Sequence, residues 1–192
     1  MAVAALERDA ELMLRVRDGD SASFALLLER HRSPVINFLY RMVQNQAVAE
    51  ELAQEVFFRV YRSRATYEPT AKFTTWLFRI ATHLALNWIR DGKREKGHES
   101  IDQRTSDDSA SRQFSDGSPN VEQKLVRQAR LAEVRAAIDT LPNKQKSAVL
   151  MHKYQEMEYS QIAKVLSCSE SAVKSLLFRA YETLRMRLAH MA

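Results

Sequence analysis

The chain has 192 residues, which is room for one large domain or two small ones. Apolar content is 45%, only four glycines and four prolines occur, and the formal net charge is +5. The apolar share is ordinary for a globular protein, and with Ala, Leu, Glu and Arg dominant the chain reads as all-α.

The charge is unevenly placed. Residues 1–98 carry a net +3, residues 99–123 a net −4, and residues 124–192 a net +6. A basic carboxy-terminal segment suits a phosphate backbone, although a solvated, arginine-rich surface is equally basic. Cys168 is the only cysteine, so no intrachain disulfide can form, and a small buried apolar role is expected for it. The initial apolar stretch ends at Leu6, too short for a signal peptide, and no run approaches the length of a membrane span. A cytoplasmic location with no membrane insertion is expected. The five histidines form no pair at metal-ligand spacing, so no metal and no cofactor is expected.

In chain order, Asp9 to Val16 and Ser21 to Arg30 read as helices separated by Asp18-Gly19-Asp20. Pro34 is placed to start the next helix, Val35 to Val43. Ala47 to Arg62 is predicted as a long helix. Its core stripe is Val48, Ala49, Leu52, Ala53, Val56 and Val60. The opposite side carries Glu51, Gln54, Glu55 and Phe58. An aromatic among carboxylates is a protein-binding signature, but spacing admits equally that Phe58 covers a neighbouring helix.

Pro69 breaks the chain before a helix predicted from Lys72 to Arg90. Phe73, Trp76, Leu77, Ile80, Ala81, Leu84 and Trp88 form its expected buried arc. Beside that arc runs a strip of Arg79, His83, Leu86, Asn87 and Arg90. Cations and amides flanking aromatics suit a single nucleic-acid strand. An aromatic core with a solvated edge has the same spacing.

Residues 99–120 contain six serines and four aspartates, with Ile101 and Phe114 as the only large apolar side chains. Such a stretch has little to bury and is predicted to be a flexible linker over 97–120. Two small helical domains follow, 8–96 and 121–190.

The second domain contains a helix-turn-helix pattern. Ile162, Ala163 and Leu166 fit one face of a first helix, while Val173, Leu177, Ala180 and Leu184 repeat along a second. Ser160 and Ser169 stand where N-cap hydroxyls are expected. In such motifs the second helix enters the DNA major groove. Ser171, Lys174, Ser175, Phe178 and Glu182 point away from the apolar stripe, with Arg179 on the flank.

Three stretches together resemble a known family. Glu50-Glu51-Leu52-Ala53-Gln54-Glu55-Val56-Phe57 and Lys72-Phe73-Thr74-Thr75-Trp76-Leu77-Phe78-Arg79-Ile80-Ala81 are similar to regions 2.2 to 2.4 of extracytoplasmic-function sigma factors. The stretch from Leu141-Pro142 to Leu184 resembles their region 4. The resemblance implies a transcription-initiation subunit rather than an enzyme, with no catalytic residues. It implies core RNA polymerase and promoter DNA as partners, and an anti-sigma factor as a holding partner.

Carried over residue by residue, the resemblance implies polymerase contacts at Glu51, Gln54, Glu55, Phe57 and Phe58. It implies minus-ten contacts at Lys72, Trp76, Arg79, His83, Asn87 and Arg90. It implies minus-thirty-five contacts at Ser171, Lys174, Ser175, Phe178 and Arg179. The chain departs from the family pattern where His83 replaces a usual Asn, Leu176 a frequent basic residue, and Ser167 a frequent Gly.

Two rival readings use the same helix-turn-helix. A one-component regulator would sense a ligand or dimerise through its first domain. A DNA-rearranging enzyme would need a clustered nucleophile or a carboxylate metal site, and the first domain shows neither at convincing spacing.

Overall fold

The first two helices are joined by a tight turn whose chemistry is local. Gly19 adopts φ +101°, a left-handed conformation that a side chain would strain. Asp20 then caps the next helix, accepting from the backbone N–H of Ala22 at 2.9 Å and of Ser23 at 3.3 Å. The Ser23 hydroxyl donates to the same carboxylate at 2.7 Å, and this bond holds the Asp20 pKa below its ordinary value.

The computed structural model describes the backbone of residues 2–96 and 121–191, and side-chain surroundings within 8–92 and 126–190. The expected linker at 97–120 lies outside the described residues. All described regular structure is helical: α1 (Ala2–Arg17), α2 (Ser21–Val43), α3 (Gln46–Arg62), α4 (Phe73–Lys96), α5 (Val121–Asp139), α6 (Asn143–Tyr154), α7 (Tyr159–Leu166) and α8 (Glu170–Arg187), with short 3-10 turns at 64–66 and 189–191.

α1 starts earlier than expected, at Ala2, α4 runs on to Lys96, and one expected helix break is absent. Pro34 does not start a helix but lies inside α2, which runs unbroken from Ser21 to Val43. An interior proline costs roughly 3 kcal/mol. The cost is offset by burial on both sides of it: Leu27, His31, Val35, Phe38, Leu39 and Met42 form one continuous stripe in the core. Only an unbroken helix keeps the two halves of that stripe in phase.

That stripe packs against Leu12, Met13 and Val16 of α1, Ala49, Ala53, Val56 and Val60 of α3, and Phe73, Leu77, Phe78 and Ala81 of α4. Phe38 and Phe78 meet edge to face, with ring centroids 5.3 Å apart. A polar clasp ties α1 to α2. The buried Asp9 carboxylate accepts from Arg30 and from His31 Nε2, the latter at 2.9 Å. Burial lowers the His31 pKa to about 4, and the charge of Arg30 pushes the same way. His31 is therefore neutral at pH 7, with its proton on the nitrogen facing Asp9.

In the carboxy-terminal half, α6, α7 and α8 enclose Val149, Leu150, Met151, Ile162, Val165, Val173, Leu177 and Ala180. This half also packs on the first, through α7 against α4 and α6 against α2, so the two sets of apolar residues form one continuous cluster.

Candidate polymerase and DNA interfaces

The first site is a groove between α2 and α3. On α3, Asn45 caps the helix by accepting from the Val48 backbone N–H at 3.1 Å. The expected core stripe faces inward, with Ala49, Ala53, Val56 and Val60 buried and Val48 and Leu52 half-buried. The rotation of 100° per residue then leaves Glu51, Gln54 and Phe58 exposed and Glu55 half-exposed on the other side. Phe58 is 58% exposed, so it does not cover a neighbouring helix. Phe57 is buried, and it forms part of the groove wall.

The groove encloses about 440 Å3 and is lined by Phe24, Leu28, Arg32 and Ile36 of α2 and by Glu50, Ala53, Gln54, Phe57, Phe58 and Tyr61 of α3. Tyr61 stacks edge to face on Phe24 at 5.1 Å, and Arg64 lies 4.1 Å over the Tyr61 ring. Glu55 pairs with Arg59 at 2.6 Å, and Glu50 accepts from Gln46 at 2.6 Å. The result is an apolar trough whose α3 edge carries carboxylates and whose α2 edge carries Arg32. It suits an amphipathic segment with apolar anchors and basic flanks.

Sequence reasoning missed the α2 wall. Phe24, Leu28, Arg32 and Ile36 stand four residues apart and form a second ladder beside the core stripe. A helix break at Pro34 hides that ladder, because it cuts Ile36 from the rest.

The second site is the strip along α4. Phe73, Leu77, Ala81 and Leu84 are buried as expected, and Trp76 and Ile80 are half-buried. Trp76 packs on Tyr67 at 5.0 Å and on Phe73 at 5.9 Å. Trp88 departs from the expectation. It is 40% exposed, while Thr75, Phe78, Thr82 and Ala85 are buried in addition to the expected arc. Packing against α2, α3 and α7 rotates the buried arc away from Trp88. Lys72, Arg79, His83, Asn87 and Arg90 are exposed, so the strip presents three cations, an imidazole and an amide with two partly exposed indoles beside it.

The third site is α8. Ser167 ends α7 in the left-handed conformation, φ 52° and ψ 51°, where glycine is the unstrained choice. Ser169 caps α8, accepting from the Ala172 backbone N–H at 3.1 Å. Ser160, expected as the cap of α7, lies inside that helix. The cap is Glu158, whose backbone N–H donates to the Gln161 side chain at 2.9 Å. Cys168 is half-buried rather than fully buried, because the turn leaves it at the surface end of the core.

Val173, Leu177 and Ala180 are buried and Leu184 half-buried, so α8 is oriented as its wheel predicts. Ser171, Lys174, Ser175, Phe178 and Arg179 are exposed, and the last four line one shallow surface depression. Phe178 is 67% exposed. Leu176 is half-buried at the margin of the apolar stripe.

Among the described residues no group of three or more His, Cys, Asp and Glu side chains is placed to hold a metal ion. Among the same residues no helix is long and apolar enough to cross a membrane.

Comparison with known proteins shows the family. Residues 27–95 match the family Sigma-70 region 2, and residues 131–184 match Sigma-70, region 4. The RNA polymerase sigma factor CarQ of Myxococcus xanthus is 32% identical over 93% of this chain and 97% of its own length. The ECF RNA polymerase sigma-E factor of Haemophilus influenzae is 28% identical over 94% of this chain and 95% of its own. The fold matches that of the sigma factor RpoE from Bartonella quintana, crystallised with the anti-sigma factor NepR. The TM-score is 0.68 at 18% identity, over 86% of this chain and 96% of that one. With both signature regions present in order and relatives matched nearly end to end, the chain belongs to the sigma-70 family of RNA polymerase sigma factors, in its extracytoplasmic-function branch.

Proposed function

We propose that this sigma factor directs core polymerase to promoters through two DNA elements, using 8–96 for the minus-ten element and 121–190 for the minus-thirty-five element. The observation that carries the reading is the joint exposure of Lys174, Ser175, Phe178 and Arg179 on the outer face of α8, in a helix whose start is fixed by the Ser169 cap. A cation can donate to guanine O6 and N7, and an aromatic edge can meet a thymine methyl. Lys174 lacks the planar fork of arginine, so its base contact is a point contact rather than a bidentate one.

On α4 the exposed strip of Arg79, His83, Asn87 and Arg90 tracks the opened minus-ten strand, with Lys72 and Trp76 at its leading end. His83 and Asn87 read an unpaired base, whose extrusion costs a few kcal/mol and is offset by hydrogen bonds to its edge. The α2–α3 groove docks on the polymerase, with Phe58 as anchor and Glu51, Gln54 and Glu55 on the rim beside it, over a wall that includes Phe57. No group of this protein performs chemistry in that scheme; its contribution is differential binding. The complex of RpoE with NepR supports an anti-sigma factor as a further partner, and the expected cytoplasmic location follows from that role.

The test is run-off transcription with purified core polymerase on genomic fragments. Expected are transcripts that depend on this protein and start at a fixed distance from two shared sequence blocks. His83→Ala should lower open-complex formation, read by permanganate, more than it lowers initial recruitment. Equal loss of closed and open complexes contradicts the minus-ten assignment.

A further inference from the structure

The α5 helix is packed at one end only. Ala137 and Ile138 are buried in its last turn, it lies on α8, and Glu133 meets His190 Nε2 at 3.0 Å. Every residue from 126 to 133 is exposed, on all sides of the helix, so this stretch stands clear of the body. Stepping 100° per residue, Val126, Arg127, Arg130 and Leu131 fall on the same side of α5 as Ala137 and Ile138. The face that packs at the end of the helix is therefore bare at its start. It presents two arginines between two aliphatic side chains, Val126 and Leu131, each 48% exposed.

We infer that this face of α5 seats in the α2–α3 groove of a second copy of the chain. The groove offers the complementary chemistry: the rings of Phe24, Phe57, Phe58 and Tyr61, and the Glu50 carboxylate. An arginine stacks on such rings while its head reaches a carboxylate, and Arg64 already stacks on Tyr61 in this way at 4.1 Å. Among the described residues Arg127 and Arg130 are in no ion pair, and neither are Glu50 and Glu51. The lengths also agree. The clear stretch of α5 is about 12 Å long at 1.5 Å per residue, and the α2 wall from Phe24 to Ile36 runs about 18 Å. The anchors of α5 on its own body keep it out of its own groove, whereas a second copy always carries a groove at equal concentration.

Such a contact is head-to-tail, so it builds a series of oligomers rather than a closed pair. One helix in a groove is a small interface, which makes the association weak and concentration-dependent. Its charged component makes it sensitive to salt. The consequence for transcription rests on the reading that this groove docks on polymerase: free copies cover one another's docking groove when the protein accumulates.

The test is sedimentation velocity of the full chain across a concentration series. The unsubstituted chain should form dimers and larger species that dissociate at high salt. Arg127→Glu with Leu131→Asp spoils the α5 face, and Glu50→Arg with Phe58→Ala spoils the groove. Each double variant should self-associate about tenfold more weakly or not at all, with helical content by circular dichroism unchanged. Mixed together, the two variants should form a one-to-one dimer that grows no further, because one intact α5 face meets one intact groove. An unsubstituted chain that stays monomeric overturns the inference, as does an α5 docked in its own groove, which gives the same result. So does either variant that still self-associates alone, or a mixture that stays monomeric. Core polymerase should convert the oligomers to one-to-one complexes, and oligomers that persist on polymerase contradict a shared groove. Failure to bind polymerase at all would contradict the proposed function, while the mixing result still decides the self-association.

Discussion

Phe58 and Phe178 are both more than half exposed, on two helices of similar length, and their surroundings differ in shape and charge. Phe58 stands at the edge of an apolar trough, and its neighbours on α3 are Glu51, Gln54 and Glu55. Phe178 stands on a convex helix among Lys174, Ser175 and Arg179, with only a shallow depression beside it. An exposed aromatic ring is not informative alone. Concavity with carboxylates favours a protein segment with basic flanks, whereas convexity with cations favours a phosphate-lined groove.

The largest expected effect falls on the concave side. Phe58→Ala should weaken core-polymerase binding by about 1–3 kcal/mol, as for a moderate hot spot, with little change in melting temperature. An unfolded variant whose folded fraction binds normally would make Phe58 a structural residue and end the comparison. Lys174→Ala should cost somewhat less, about 1–2 kcal/mol, and relax preference at one promoter position. An even loss across sequences, with the salt slope reduced by about one unit, would instead place Lys174 on phosphate.

Leu176→Arg probes the boundary of the convex face. Leu176 is half-buried, so the substitution should lower thermal stability by about 1 kcal/mol or less while making DNA binding tighter and more salt-sensitive. Loss of the folded carboxy-terminal half would show that the apolar stripe of α8 is wider than its exposure indicates. The remaining effect is on acidity, and it falls on the amino-terminal half. His31 lies in the core stripe of α2, against Asp9 and Phe73, with a folded pKa of about 4, below its ordinary 6.5. The unfolded chain therefore takes up this proton first. The stabilisation is complete above about pH 6.5 and is lost as pH falls toward 4. Denaturant midpoints measured across that window should decline, and His31→Gln should flatten the decline.

The periodicity of α3 and α8 was legible because each helix has one buried face, and burial of one face dictates the other by rotation alone. Ser169 as a cap was legible because a cap is local chemistry, and Ser167 at a left-handed position because the family resemblance puts a frequent Gly there. The family resemblance was legible because its motifs are contiguous in the chain.

What the sequence left open depended on partners distant in the chain. Pro34 reads as a helix start because its cost is local, while the core contacts of Val35, Phe38 and Leu39 that outweigh it come from α1, α3 and α4. The groove needed that unbroken α2 before Phe24, Leu28 and Ile36 lined up opposite Phe58. Trp88 reads as buried on a wheel, but a helix flanked by α2, α3 and α7 buries whatever arc those neighbours cover. Lys146 gave no sequence signal at all. A lysine at the fourth position of a helix is ordinary, and only the docking of α6 on the end of α2 makes it a buried cation between two halves of a molecule.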